Sequence, residues 1–274
     1  MSTPLSERAL PIIVCGAAGR MGRLLVALAR EDARLRVAGA GEAAGHAAIE
    51  RDAGEVAGGA SLGVRVADAL AAVCRAEQVV LDFTAPAATL AHARVAAERG
   101  AGLVIGTTGL DGGQERALAA LAARTRTVFA PNMSVGVTVL TELVSLAARL
   151  LDASFEAEVV ELHHHAKKDA PSGTALALGR AVAAARGLDF ERARRLARAG
   201  QVGERPRDEI GMVGLRAGDA VGDHTVVFGG LGERLELVHR AQSRDCLARG
   251  ALRAALWVAG RPAGLYSMRD VLGL

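Results

Sequence analysis

The sequence predicts an α/β protein: a doubly wound parallel sheet, joined to a second α+β domain whose sheet is mixed or antiparallel. Three observations carry this. A β-branched run, Leu10-Pro-Ile-Ile-Val-Cys15, leads into the glycine turn Gly16-Ala-Ala-Gly-Arg-Met-Gly22 and then an apolar helix. Apolar strand segments alternate with helical ones as far as residue 130, the rhythm of parallel strands linked by crossover helices. Beyond residue 200, three strand-like runs follow one another with no helix between them.

The elements follow in order. Residues 1–9 read as a loose tail. The strand Leu10–Cys15 ends at the glycine turn, and the next helix runs to about Arg30. The spacing is Gly-x-x-Gly-x-x-Gly rather than the usual Gly-x-Gly-x-x-Gly. Glycines at such a turn let the backbone approach a pyrophosphate, and the helix N-terminus that follows favours the anion. A second strand, 35–40, ends at Gly41-Glu42. Glu42 lies 20 residues after Gly22, where a carboxylate accepts hydrogen bonds from adenosine ribose hydroxyls. An ordinary exposed Glu is the alternative, and the glycine turn favours the ribose. Together these features make the sheet Rossmann-like.

Residues 43–78 are rich in Ala and Gly, with a helix expected near 67–75. Gln78–Phe83 is a strand, and Thr84-Ala-Pro86 opens a helix with proline in its first turn. Leu103–Ile105 leads into Gly106-Thr-Thr-Gly109. Asp111 caps a helix to about Arg124, and Thr127–Phe129 leads into Ala130-Pro-Asn-Met-Ser134. Gly106–Thr108 and Ala130–Met133 therefore stand at the carboxyl ends of strands, where such sheets bind ligands. Ser134 caps a long apolar helix to about Leu151.

Phe155, Ala157 and Val159 then alternate with Glu156 and Glu158, the period of a half-buried strand. It runs into Glu161-Leu-His-His-His-Ala-Lys-Lys-Asp-Ala-Pro-Ser-Gly-Thr-Ala175. Ser172 is the N-cap signal of an Ala/Leu-rich helix to about Arg186. An Arg-rich helical stretch follows, with Arg192–Arg198 as its solvated face. Strands are expected near 208–215, 220–228 and 231–240. A helix from Ser243 to about Gly260 contains Trp257 and packs back on the first domain. The expected division is 1–130 with 241–274 as the dinucleotide-binding domain, and 131–240 as the substrate-binding and oligomerisation domain.

Composition narrows the function. The chain has 274 residues, 51% of them apolar and only 3% aromatic, with a net charge of +3. Few aromatics argue against nucleic-acid binding by base stacking, and no helix-turn-helix signature accompanies the arginines. A mild positive excess suits anionic small molecules. Three widely spaced cysteines form no disulfide framework, which points to a reducing compartment. No run of 18 apolar residues and no signal peptide is present, so no membrane span is expected and the cytoplasm is the default.

The chemistry gathers between Glu161 and Ala175. A strand end, a cationic turn and a helix N-terminus together make an anion site, because the first helical N–H groups lack intrahelical partners. His163, His164 and Lys167 supply protons or positive charge beside it. Consecutive histidines also raise a metal site. Neighbours on a strand point to opposite faces, and neither HExxH nor CxxC is present, so no metal is expected. A dinucleotide site plus this anion site suggests hydride transfer to an anionic, electron-poor substrate, with a side chain delivering a proton.

The string Glu161-x-His163-His164-x-x-Lys167-x-Asp169-x-Pro171-Ser172-Gly173-Thr174 resembles the signature of the dihydrodipicolinate (4-hydroxy-tetrahydrodipicolinate) reductase family. Gly16–Gly22, Gly106–Gly109, Asn132-x-Ser134-x-Gly136-Val137 and Arg216-x-Gly218-x-x-x-Gly222-x-His224 match in the expected order. The resemblance implies reduced nicotinamide dinucleotide bound at Gly16, Ala17, Ala18, Gly19, Arg20, Met21, Glu42, Gly106, Thr107, Thr108, Ala130, Pro131, Asn132 and Met133. It implies His163 as proton donor/acceptor, Lys167 as proton donor, and His164, Gly173 and Thr174 as holders of a dicarboxylate. The reaction implied yields tetrahydrodipicolinate in the diaminopimelate route to lysine, in a cytoplasmic homotetramer associating through the second domain's sheet. Two features depart from the family pattern. Ala43 stands where an Arg often follows the acidic residue, which favours NADH over NADPH. His165 fills a variable position and is not expected to be catalytic. The alternatives are another two-domain dehydrogenase, which leaves the Lys167/Gly173/Thr174 cluster unexplained, and a redox-sensing regulator, which would need a DNA-binding element.

Overall fold

The computed structural model describes residues 9–274, so the expected tail lies outside the described residues except for Ala9. In chain order the elements are β1 (Leu10–Cys15), α1 (Arg20–Glu31), β2 (Leu35–Gly41), α2 (Ala53–Val56), β3 (Val66–Ala67), α3 (Leu70–Val73), β4 (Val79–Asp82), α4 (Pro86–Arg99), β5 (Gly102–Ile105), α5 (Gly112–Ala122) and β6 (Arg126–Phe129). They continue with α6 (Val135–Leu150), β7 (Glu156–His163), α7 (Gly173–Arg186), α8 (Phe190–Ala193), β8 (Arg194–Arg195), β9 (Ile210–Arg216), β10 (Gly222–Gly230), β11 (Glu233–Ala241), α9 (Asp245–Val258), β12 (Gly264–Tyr266) and α10 (Met268–Leu272).

Two compact units result, Met1–Val135 with Asp245–Leu274, and Gly136–Arg244. The expected junctions at 130/131 and 240/241 move to 135/136 and 244/245. Met133 and Val135 pack into the first unit's core, and Ala241 still belongs to β11.

The first unit is built on a sheet ordered β12-β6-β5-β4-β1-β2-β3, all of whose pairs are parallel. Its central strands read as continuous apolar runs because both faces are covered. Alternate residues go to opposite layers. Ile12, Val14, Val79, Leu81 and Val104 meet Leu25 and Val26 of α1 and Ala251 and Ala254 of α9. Ile13, Val80, Leu103 and Ile105 meet Ala93 and Ala96 of α4 and Leu118 of α5. Each such aliphatic side chain, fully buried, contributes roughly 1.5–3 kcal/mol. Local signals set the helix ends. Pro86 stands in the first turn of α4, and Asp111 with Gln114 forms a reciprocal capping box at α5.

The second unit holds a sheet ordered β11-β10-β7-β9-β8. It is mixed: β7 is antiparallel to β10 and parallel to β9. Helices α6 and α7 cover one face through Leu140, Val144, Leu178 and Val182, against Val159, Met212, Val226 and Phe228. The other face carries Val160, Leu162, Val213, Leu215 and Val238, partly or well exposed. The Arg192–Arg198 segment is not the helix face expected. It is one turn of helix, a two-residue strand and then loop, because Arg198 reaches back to Glu158 and Glu209. The helix expected over 67–75 is only the single turn α3.

Candidate active site

In the first unit, the turn between β1 and α1 needs glycine at two points for different reasons. Gly16 has φ +67°, which a residue with a β-carbon rarely adopts. At Gly22 a β-carbon would lie 2.1 Å from the Gly16 carbonyl oxygen and 2.7 Å from Ala17 Cα, so α1 packs directly on the turn. Glu42, at the end of β2, is brought onto the same turn: its carboxylate accepts from the Ala18 N–H at 3.0 Å and from Ala43 N–H at 3.0 Å. Arg23 Nε donates to the Ala18 carbonyl at 2.8 Å, while Arg20 is exposed. Positive φ, close helix packing and an acidic strand end together fit a dinucleotide. Glu42, Ala17, Ala18, Gly19, Arg20 and Met21 are gathered there.

Gly106, Thr107 and Thr108 leave β5 beside the end of β4. The hydroxyl of Thr107 turns inward. It donates to the wholly buried Asp82 at 3.3 Å and accepts from Thr84 N–H and from the Thr89 hydroxyl. Asp82 also accepts from Thr84 N–H at 2.9 Å and its hydroxyl at 2.6 Å, and lies 2.8 Å from His92 Nδ1. One carboxylate thus ties the two strand ends together. Thr107 is left with its backbone, not its hydroxyl, for a ligand, whereas Thr108 is exposed. After β6, Ala130 and Met133 are buried and also offer only backbone; Pro131 is exposed, and Asn132 accepts from Ser134 N–H.

In the second unit, β7 alternates as the sequence suggests, and the alternation extends to its end. Ala157, Val159, Glu161 and His163 all face the helix-covered side. Register then brings distant residues into rows: Glu161 is paired with His224 on β10 and Gly214 on β9, and His163 with Arg216. Glu161 is 1% exposed, His163 8% and His224 4%, so this is a buried polar cluster. Glu161 Oε1 accepts from Ser172 N–H at 3.0 Å and from Arg216 at 3.2 and 3.3 Å, and Oε2 pairs with His163 Nδ1. Ser172 caps α7 by accepting from Ala175 N–H, and its hydroxyl lies 3.1 Å from His224 Nε2.

Lys167 is held by Asp169, whose oxygens lie 2.8 and 2.9 Å from Nζ. Arg216 donates to the carbonyls of Lys167 and Asp169, which shapes the turn around them. Lys167 N–H donates to the His164 carbonyl at 3.1 Å. His164 is half-buried, and His165 is exposed with its ring on the Gly218 carbonyl. Gly173 and Thr174 form the first turn of α7. Consecutive histidines do diverge, as the strand geometry demands. A carboxylate and two imidazoles nonetheless meet across strands, with donor atoms of Glu161, His163 and His224 within 4.8 Å of one another.

Burial pushes the His163 imidazolium down from its ordinary value; Glu161 opposes this, and Lys167 and Arg216 add to it. Burial, helped by His163, takes His224 down to about 4. The sign of the stability effect follows. Above the ordinary histidine pKa both states are neutral and the contribution is complete. As pH falls from about 6.5 toward 4, the unfolded chain binds a proton that the folded chain refuses. The thermal midpoint should therefore fall over that window, by the equivalent of roughly 3 kcal/mol. His224→Gln should flatten the slope while starting from a lower midpoint. An unchanged slope would assign the acid sensitivity to other groups.

Glu161, Arg216 and His224 stand in the matched motifs, but neither they nor Asp82 are assigned a catalytic or binding role by the sequence. For Glu161 the signal was available, since it falls on the buried phase of β7.

The parallel sheet with its glycine turn and acidic strand end defines a nicotinamide-dependent oxidoreductase. Family models described as "Dihydrodipicolinate reductase, N-terminus" and "Dihydrodipicolinate reductase, C-terminus" match residues 10–133 and 136–272, and the chain belongs to this family. It is 50% identical over 261 residues to a 4-hydroxy-tetrahydrodipicolinate reductase of Syntrophobacter fumaroxidans, covering 95% of this chain and 98% of the relative. It is 52% identical over 263 residues to one from Anaeromyxobacter sp., covering 96% and 97%. Its fold is also that of a dipicolinate-bound dihydrodipicolinate reductase from Paenisporosarcina sp., with a TM-score of 0.73 at 23% identity over 96% and 98% of the two chains.

Proposed function

We propose that the protein reduces 4-hydroxy-tetrahydrodipicolinate to tetrahydrodipicolinate with a reduced nicotinamide dinucleotide, in the diaminopimelate route to lysine. Beyond family membership, one observation carries the reading: His163 and Lys167 end the β7 strand and turn that lead into the N-terminus of α7. The bound cofactor supplies the hydride. Lys167, oriented by its ion pair with Asp169, supplies the proton, and His163, buried and biased toward the neutral imidazole, exchanges it. His164, Gly173 and Thr174 hold the substrate carboxylates, the last two through the first turn of α7. Gly16–Met21, Glu42, Gly106–Thr108 and Ala130–Met133 hold the cofactor, which makes the first unit the dinucleotide-binding one. The decisive experiment is a coupled assay. Freshly made dihydrodipicolinate synthase product should drive oxidation of the reduced cofactor, and no turnover with it would sink the reading.

NADH is the preferred cofactor and NADPH is tolerated. Glu42 lies on the glycine turn, where its charge repels a 2′-phosphate, and Ala43 offers no guanidinium to replace it. Arg23 is engaged with the Ala18 carbonyl, whereas Arg20 on the same turn and Arg51 are exposed. Ala43→Arg should lower the KM for NADPH more than that for NADH. A wild type that strongly prefers NADPH would remove Glu42 from control of the choice.

The outer face of the second unit's sheet, with Val160, Leu162, Val213, Leu215 and Val238, supports assembly of a homotetramer through that face. Among the described residues no helix is long and apolar enough to cross a membrane. A cytoplasmic location fits the cysteine usage.

A further inference from the structure

Three buried atoms of the second unit stand out: Glu161 Oε2, His163 Nδ1 and His224 Nδ1 have no hydrogen-bond partner beyond the Glu161–His163 ion pair. The surrounding donors decide how protons are shared among them. Ser172 Oγ accepts the Ala175 N–H and lies 3.1 Å from His224 Nε2. Glu161 Oε1 is saturated with donors from Ser172 and Arg216, so Oε2 is the oxygen left for His163. A carboxylate oxygen only accepts, and it requires a proton on His163 Nδ1.

Two glycines make room for this arrangement. A β-carbon at Gly214 would come within 2.9 Å of Glu161 Oε1, and one at Gly222 within 2.9 Å of His163 Nε2. The Nε2 edge therefore lies over a residue without a side chain.

We propose that Glu161 is the positioning residue of the proton-transfer site: it fixes His163 with its proton on Nδ1, presents Nε2 to the substrate, and ties that ring to the N-terminus of α7. The proposal rests on the reductase reading for what Nε2 acts on. Its geometry stands on the second unit alone. The groups facing His163 are Glu161 on its own strand, Lys167 on the following turn, Arg216 on β9 and His224 on β10.

Glu161→Gln tests it in the full-length protein, because the amide cannot serve both sides. Its oxygen is needed by Ser172 and Arg216, so its NH2 faces His163 and forces the ring proton to Nε2. Nitrogen-15 NMR of histidine-labelled protein should show the Nδ1–H tautomer of His163 in the wild type and the Nε2–H tautomer in the variant. The kcat should fall, by roughly 100-fold if the ring is displaced by about 1 Å. The lower pH limb of kcat/KM should move to lower pH, since the carboxylate that favours the charged ring is gone. Affinity for the reduced cofactor should not change. Glu161→Asp, which retains charge but shortens the reach, should restore the limb more than the kcat.

A wild-type His163 in the Nε2–H form overturns the proposal, and so does Glu161→Gln with wild-type kcat and limb. If Zn2+ added to the wild type shifts His163 and His224 Nδ1 together at one equivalent, Glu161 serves a cation instead and the proposal also falls. Should no Glu161 variant fold, the wild-type tautomer still decides. The tautomer is read without turnover, so an inactive wild type would sink the reductase reading and leave this result standing.

Discussion

Lys167→Ala should lose about 100- to 10,000-fold in kcat, the usual contribution of a positioned general acid, while its affinity for reduced cofactor stays at the wild-type level. The lysine is half-buried, and both oxygens of Asp169 hold its Nζ, so it is oriented before substrate arrives. Arg216 fixes the same turn through the carbonyls of residues 167 and 169. Truncation therefore removes the proton without unmaking the turn. Lys167→Arg separates acid from charge. A guanidinium keeps the positive charge but does not release a proton near neutral pH, so it should recover substrate affinity and leave kcat low. Rapid single-turnover measurements on the three proteins would read this split. If Lys167→Ala turns over at the wild-type rate, the proton comes from elsewhere, and His163 becomes the first candidate.

Much of this molecule is legible in its sequence because it is encoded locally. The buried strands β1 and β5 are apolar runs and β4 is apolar up to Asp82, and the glycine turn, Asp111 and Ser172 each mark a helix start with a residue suited to that place. What escaped has two physical sources. The strands β3, β8 and β12 are two or three residues long, too short for any period to show. The buried cluster around His163 is written in strand register rather than in neighbouring residues. Ser172 and His224 lie 52 positions apart, and Arg216 and Glu161 lie 55 apart. The Arg192–Arg198 segment failed for a related reason. Its composition suits a solvated helix, but Glu158 and Glu209 draw Arg198 across to them.

The same distinction gives the second large effect, at the turn between β1 and α1. Gly22→Ala should weaken binding of the reduced cofactor at least tenfold, the loss of one hydrogen bond to a charged group at roughly 1.5–3 kcal/mol. A methyl group there would stand 2.1 Å from the Gly16 carbonyl oxygen, and both clashing partners are backbone. No side chain can swing aside, so α1 must lift from the turn or Gly16 must leave its positive φ. Either movement carries the Ala18 N–H away from the Glu42 carboxylate, which now fixes the turn to the end of β2. Some of the strain will appear as lost stability, on the order of 1–3 kcal/mol for an overpacked site. Gly19→Ala is the internal comparison, because its β-carbon would meet the same oxygen at 3.1 Å and small adjustments could absorb that contact. Fluorescence titration of the reduced cofactor should rank wild type tightest, then Gly19→Ala, then Gly22→Ala. Thermal midpoints should follow the same order. If Gly22→Ala binds cofactor as the wild type does, the close approach of helix to turn is not what builds the site, and the pyrophosphate must be held elsewhere.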